Sequence, residues 1–371
     1  MAETLRNVEG SASYDCNEEE EFWPTPALLT GHKIHTIRFG TPRKNESRIL
    51  RYKSMSSDEL TPLDMTYGTN SSEEEDPFRD DEFYDGTGNL MWMAAICFSH
   101  LIFQEVEPLK SYLLYGIPKG EREISKCTDR RRFCELGCGT GGAGISLLLS
   151  ALGENPQSDT DAHDSGKYHV VFTDNDAESL ELCASNCELN GLDPESYSQQ
   201  LLGWGKEHLA NIQQENTNEG LASKSFDVVF ATDVIYDLKT IAPLFETVDF
   251  LLKQRKNDSE RGGHLVLSHV PRFCIPKETS QNMEHQNPSS VTEEDSPSEA
   301  FLELEHFIES EANKVGLVLV ETIRPHNVLS EEGLSLSGDD DDGTNEEDSL
   351  QQLTPETMKE AHAVLFVFER S

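Results

Sequence analysis

Glu135, Gly137, Gly139 and Gly141 alternate through Phe133-Cys134-Glu135-Leu136-Gly137-Cys138-Gly139-Thr140-Gly141-Gly142, a short apolar run that passes into a glycine-rich loop. Glycine has no Cβ, so successive glycines tolerate unusual backbone angles and let a ligand come close to the main chain. Gly137, Gly139 and Gly142 also fit GxGxxG, a dinucleotide-site spacing that is weak evidence by itself. The apolar run 143–152 has helical length, so the loop is expected to join a strand end to a helix start, where doubly wound sheets bind nucleotides. Two further acids stand at expected strand ends. Asp174 closes the run 168–173, where its carboxylate can accept hydrogen bonds from both hydroxyls of a ribose; the usual separation is about 20 residues, and the polar stretch 153–166 lengthens it here. Asp233-Val234-Ile235-Tyr236 directly follows the apolar run 226–231, placing an acid and a phenol at a third strand end.

These positions make sense only if a parallel sheet holds them. After the glycine loop, β-rich apolar runs alternate with helical patterns, which predicts an α/β chain with helices on both faces of the sheet. Leu180, Cys183, Ala184 and Cys187 form one helical stripe, with Asp176 as the expected cap and Gly191 as the stop. Ile241, Leu244, Phe245, Val248 and Leu252 form another, ahead of a strand at 264–268. Ser296-Pro297-Ser298-Glu299 reads as a capping box with proline in the first turn, opening a helix to about residue 315. Strands are expected at 317–323 and 363–368 with only an acidic segment between them, so the last strand returns in hairpin fashion. The expected fold is Rossmann-like: a doubly wound, seven-stranded sheet with one reversed strand near the C-terminus.

Composition divides the chain. Residues 1–80 are acidic and poor in apolar groups, a composition that cannot bury enough surface to offset ordering entropy, although 35–39 and 49–52 have the strand character of a possible hairpin. Residues 81–371 are expected to form the folded domain, with polar inserts near 153–167, 277–298 and 331–355. The formal net charge is −39, and 331–348 holds nine acidic residues with no lysine or arginine. Nucleic acid is thereby disfavoured, because affinity for phosphate backbones comes from clustered Lys and Arg; a protein with a basic surface is the natural partner. Eight scattered cysteines without CxxC pairs, and no apolar core in residues 1–21, fit reduced thiols, and no metal is expected. The apolar run 90–103 is too short to span a bilayer. A soluble monomer in the cytoplasm, the nucleus or both is expected.

Glu135-x-Gly-x-Gly-x-Gly141 resembles the first motif of the class I methyltransferases, which bind S-adenosylmethionine on a seven-stranded sheet closed by one reversed strand. Asp233-x-x-Tyr236, the Trp204-Gly205 turn and Trp92 within Gly88-Asn89-Leu90-Met91-Trp92-Met93-Ala94-Ala95 resemble the METTL-type family of protein lysine methyltransferases, over residues 85–369 apart from the inserts. The resemblance implies that Trp92, Glu135, Gly137, Gly139, Gly141, Asp174, Trp204 and Asp233 line the cofactor, with Trp204 over the adenine. It places Asp233 and Tyr236 at the methyl-transfer site and Arg272 where several members carry an arginine. Two departures stand out: Met93 replaces a frequent proline, and Gly203 replaces the polar residue that often precedes the Trp-Gly turn. The implied chemistry is metal-free and in line, with reacting atoms held at roughly 3–3.5 Å. A lysine acceptor has a pKa of about 10.4 and must lose a proton before attack; Asp233 is expected to hold the ammonium and Tyr236 to orient the amine or help release its proton. His269 is the one histidine at a strand end, and a structural role is expected for it. The alternatives are a small-molecule or nucleic-acid methyltransferase, a non-catalytic cofactor-binding interaction protein and a nicotinamide oxidoreductase.

Overall fold

The computed structural model describes residues 33–40, 47–54, 90–115, 130–152, 168–215, 221–254, 262–271, 299–329, 334–337 and 355–370. In chain order they form β1 (Lys33–Gly40), β2 (Ser47–Ser54), α1 (Met93–Phe103), a π-turn at Ser111–Tyr115, β3 (Arg131–Leu136), α2 (Gly142–Leu152), β4 (Tyr168–Asp174), α3 (Ala177–Leu189) and β5 (Tyr197–Leu201). There follow α4 (Lys206–Glu215), β6 (Val228–Thr232), α5 (Leu238–Leu251), β7 (His264–His269), α6 (Glu299–Lys314) and β8 (Leu317–Ile323). The last elements are α7 (Pro325–Val328), β9 (Leu334–Ser337), α8 (Pro355–Glu360) and β10 (Val364–Arg370).

Seven strands make one sheet in the order β5-β4-β3-β6-β7-β10-β8. β3 runs parallel to β4 and β6, β4 to β5, and β6 to β7, whereas β10 is antiparallel to both of its neighbours, β7 and β8. This is the doubly wound sheet with one reversed strand that the order of apolar runs predicts. The central strands read as unbroken apolar runs because both of their faces are covered. Strand alternation splits them between two cores. Phe133, Val170, Phe172, Val228, Phe230 and Val266 face α1, α2 and α3, whereas Cys134, Val171, Val229, Ala231, Leu265 and Leu267 face α5 and α6.

A second sheet, in the order β2-β1-β9, joins the first core through Ile37, Phe39, Leu50 and Tyr52. Phe39 packs on Phe103 and His100 of α1. The stretch between β8 and β10 departs from the expected bare acidic return, for it contains α7, β9 and α8, and β9 pairs antiparallel with β1. β5, Tyr-Ser-Gln-Gln-Leu, is a strand that apolar patterning misses: it is a polar edge strand with side chains half-buried or exposed. The acidic runs 18–21 and 73–76, Arg272 and the expected cap at Ser296 lie outside the described residues. Among the described residues no helix is long and apolar enough to cross a membrane.

Candidate functional site

β3 ends in a loop whose peptide groups are fixed one after another. Cys138 N–H donates to the Thr173 carbonyl, and Gly139 N–H donates to Asp174 Oδ2 at 2.9 Å. Gly141 N–H donates to the Cys138 carbonyl at 2.7 Å, after which α2 begins. Gly137 and Gly141 have φ of 63° and 76°. A Cβ at Gly137 would lie 2.9 Å from Val234 Cγ1 and 3.2 Å from Trp204 Cζ2, so the Trp204 ring and the Asp-x-x-Tyr segment close on the loop only because that position is glycine. At Gly141 a Cβ would collide with Cys183 Sγ.

Asp174 is the last residue of β4 and is buried, with Oδ1 accepting from Asp176 N–H at 3.1 Å while Oδ2 holds Gly139. Asp176, as expected, is the cap: its carboxylate takes Glu178 N–H and Ser179 N–H at the start of α3. Burial pushes the Asp174 carboxyl up, against the amide hydrogen bonds of Gly139, Asp176 and Asn175 that pull it down. A carboxylate offers about four acceptor sites, and these backbone amides leave part of that capacity open. Glu135 is the buried penultimate residue of β3, and its Oε2 accepts from Gly144 N–H at 3.1 Å in the first turn of α2. Its Oε1 has no protein partner among the described residues, and burial raises the carboxyl well above the usual range.

The second half of the site forms where β6 and β7 end. Asp233 follows β6 with φ of 60°, is buried, and donates its N–H to the Ser268 carboxyl-end carbonyl of β7. Its Oδ1 accepts weakly from Val270 N–H at 3.4 Å. A left-handed non-glycine residue is uncommon, and Asp is among the side chains that tolerate it. Ser268 Oγ donates to the Ala94 carbonyl, which ties the first turn of α1 to the same strand end. Trp92 caps that helix, its carbonyl accepting from Ala95 and Ile96 N–H. Tyr236, 49% exposed, stands on the rim just before the Asp237 cap of α5. His269 is buried at the end of β7, opposite Val364 in the sheet.

The loop, Asp174, Trp204, Asp233 and the head of α1 thus share the carboxyl edge of the sheet, where such folds take their ligands. The fit to a nucleoside with a charged tail is good: glycines that leave room at the loop, a buried acid with spare acceptor capacity, an aromatic ring beside them. The departure at Gly203 has a structural reason. A Cβ there would meet the His208 ring at 2.6–2.8 Å, so the missing side chain leaves room for that imidazole.

A family model described as lysine methyltransferase matches residues 74–260, half of the chain. The chain belongs to that lysine methyltransferase family. The protein-lysine N-methyltransferase EFM3 of Chaetomium thermophilum is 30% identical over 123 residues, which are 33% of this chain and 31% of that protein. The chain therefore matches about a third of that relative's length. Among solved structures, a geranyl diphosphate C-methyltransferase from Streptomyces coelicolor aligns with a TM-score of 0.34 and 12% identity, covering 66% of this chain and 73% of that one. A TehB-like methyltransferase from Corynebacterium glutamicum aligns at 0.32 and 11%, covering 66% and 83%. The stretch matched to the lysine methyltransferase family carries the glycine loop, Asp174, Trp204, Asp233 and Tyr236.

Three residues near this family's loop escape sequence reasoning. Val234 and Met91 are apolar and carry no chemical signal, yet each closes on a loop glycine, Met91 lying over Gly142. Asn186 sits on the apolar stripe of α3 and is fully buried. An amide in an apolar stripe is a readable sign of a specific partner, because a buried polar group must be hydrogen-bonded.

Proposed function

We propose that this protein is an S-adenosylmethionine-dependent protein-lysine N-methyltransferase acting by direct in-line transfer. The observation that carries it is the convergence of the glycine loop, Asp174 and Asp233 at one sheet edge in a chain of the lysine methyltransferase family. S-adenosylmethionine, when bound, supplies a methyl group on a positively charged sulfur, whose bond breaks with both electrons leaving on sulfur. Asp174 holds the ribose hydroxyls with its remaining acceptor capacity, and Trp204 and Trp92 wall the adenosine. Glu135 pins the first turn of α2 beneath the loop, which keeps the amides of Gly139 and Gly141 in place. Asp233 receives the ammonium of the acceptor lysine, and Tyr236, from the rim, orients the amine once its proton has left to solvent. The charge of −39 supports a substrate with a basic surface. The reading includes a monomer that works in the cytoplasm, the nucleus or both.

Incubation with radiolabelled cofactor and cell extract tests this. Protease-sensitive, nuclease-resistant label that hydrolyses to methyl-lysine is expected. Gly139→Arg should abolish it, and Asp233→Asn should slow it about 100-fold, the low end of what one preorganised electrostatic contact contributes. Equal labelling of the same bands by Gly139→Arg would sink the proposal, and nuclease-sensitive label would move it to nucleic acid.

A further inference from the structure

The free edge of β2 is occupied by side chains. Asn186 Oδ1 accepts from Lys53 N–H at 2.6 Å, and Asn186 Nδ2 donates back to the Lys53 carbonyl at 3.2 Å. One helical turn later, Asn190 repeats the exchange with Arg51, its Oδ1 accepting from Arg51 N–H at 3.0 Å and its Nδ2 donating to the Arg51 carbonyl. Four residues of helix rise about 6 Å and two residues of strand about 6.7 Å, so the two asparagines stand in register with alternate residues of β2. Lys53 Nζ adds a bond to Ser185 Oγ at 2.6 Å. The helix therefore covers the edge as another strand would.

Asn186 makes one bond that Asn190 does not. Its second Nδ2 hydrogen goes to the Thr140 carbonyl at 2.9 Å, inside the glycine loop. The peptide between Thr140 and Gly141 is then gripped at both ends, its carbonyl by Asn186 and its N–H by the Cys138 carbonyl. Both Asn186 and Thr140 are buried, so water cannot replace the bond.

We propose that Asn186 is a positioning residue that couples docking of the β1–β2 hairpin to the shape of the cofactor loop, which makes a segment far upstream of the loop a working part of the cofactor site. The inference rests on the cofactor reading above. One amide satisfies strand and loop at once, so tightening either favours the other, and such coupling is reciprocal.

Titration calorimetry with S-adenosylhomocysteine on the full chain, with amide exchange followed by mass spectrometry, tests it. Asn186→Ala should weaken binding by about 5-fold or more, the cost of one lost buried hydrogen bond. Asn190→Ala removes the equivalent pair of β2 bonds, at Arg51, and a bond to the Asn186 carbonyl, but spares Thr140, and should bind within about 2-fold of wild type on the same reasoning. Saturating ligand should slow exchange at the Lys53 amide in wild type. Equal affinities for the two variants, or Lys53 exchange indifferent to ligand, would overturn the coupling. If wild type itself does not bind, the cofactor reading fails; the coupling then stands or falls on the ligand-free proteins, where Asn186→Ala must speed exchange at Gly141 and Asn190→Ala must not.

Discussion

Glu135 shows how a single side chain can be read in sequence and still surprise. Its place two residues before the first glycine is what separates the loop from a bare GxGxxG, yet the carboxylate is buried against Gly144 N–H. Burial raises its pKa, so the folded protein binds more protons than the unfolded chain between the ordinary carboxylate value and the raised one. Stability is then full at acid pH and falls as pH rises through that window. Glu135→Gln keeps an oxygen for Gly144 and removes the titration. Thermal unfolding should place the variant above wild type at pH 8 and level with it near pH 4; parallel curves would mean that the carboxyl is ionised at no cost in the fold. Asp233 and Asp174 were legible because they follow apolar strands, where the fold always presents its chemistry. Trp204 was legible as a residue, but its contact with the Gly137 position was not, since 67 residues of chain separate them and only the packed structure closes that distance.

At the level of elements, legibility tracks burial. β3, β4, β6, β7 and β10 are apolar on both faces and legible nearly to the residue, whereas β5 is polar along its length and β9, Leu-Ser-Leu-Ser, alternates over only four residues inside an acidic stretch, too briefly to stand out. α1 was visible as the longest apolar run, and its burial is almost complete. Within it His100 is 2% exposed and packs tilted against Phe39 of β1. Burial pushes its pKa down to about 4. The unfolded chain takes up this proton near the ordinary histidine value of about 6.5, so this contribution is fully present above that pH and is lost as pH falls toward 4. The loss amounts to about 3 kcal/mol at 1.36 kcal/mol per unit. His100→Leu should therefore flatten the fall of unfolding free energy between pH 6.5 and 4 by about that amount, measured by urea denaturation at each pH. An unchanged slope would show that the ring protonates in place.

The whole molecule carries a net charge of −39, large for 371 residues. Such a field raises the encounter rate with a basic partner and is screened over about 8 Å at physiological salt against 30 Å at 0.01 M. Labelling of proteins in extract should fall several-fold, roughly in step with that screening, as salt rises over this range, while binding of S-adenosylhomocysteine changes less; equal salt dependence of the two would remove the charge from substrate capture. The small sheet has a different consequence, one of timing. β1 pairs with β2 ten or so residues later but with β9 only after about 300 further residues, Ile37 meeting Leu336. At synthesis rates of about 5–20 residues per second, the outer edge of β1 waits roughly 15–60 s for its partner. An open strand edge is a template for pairing with other chains. During each round of translation, then, the nascent hairpin is at its most vulnerable for the longest part of the protein's synthesis, and the arrival of β9 ends that exposure.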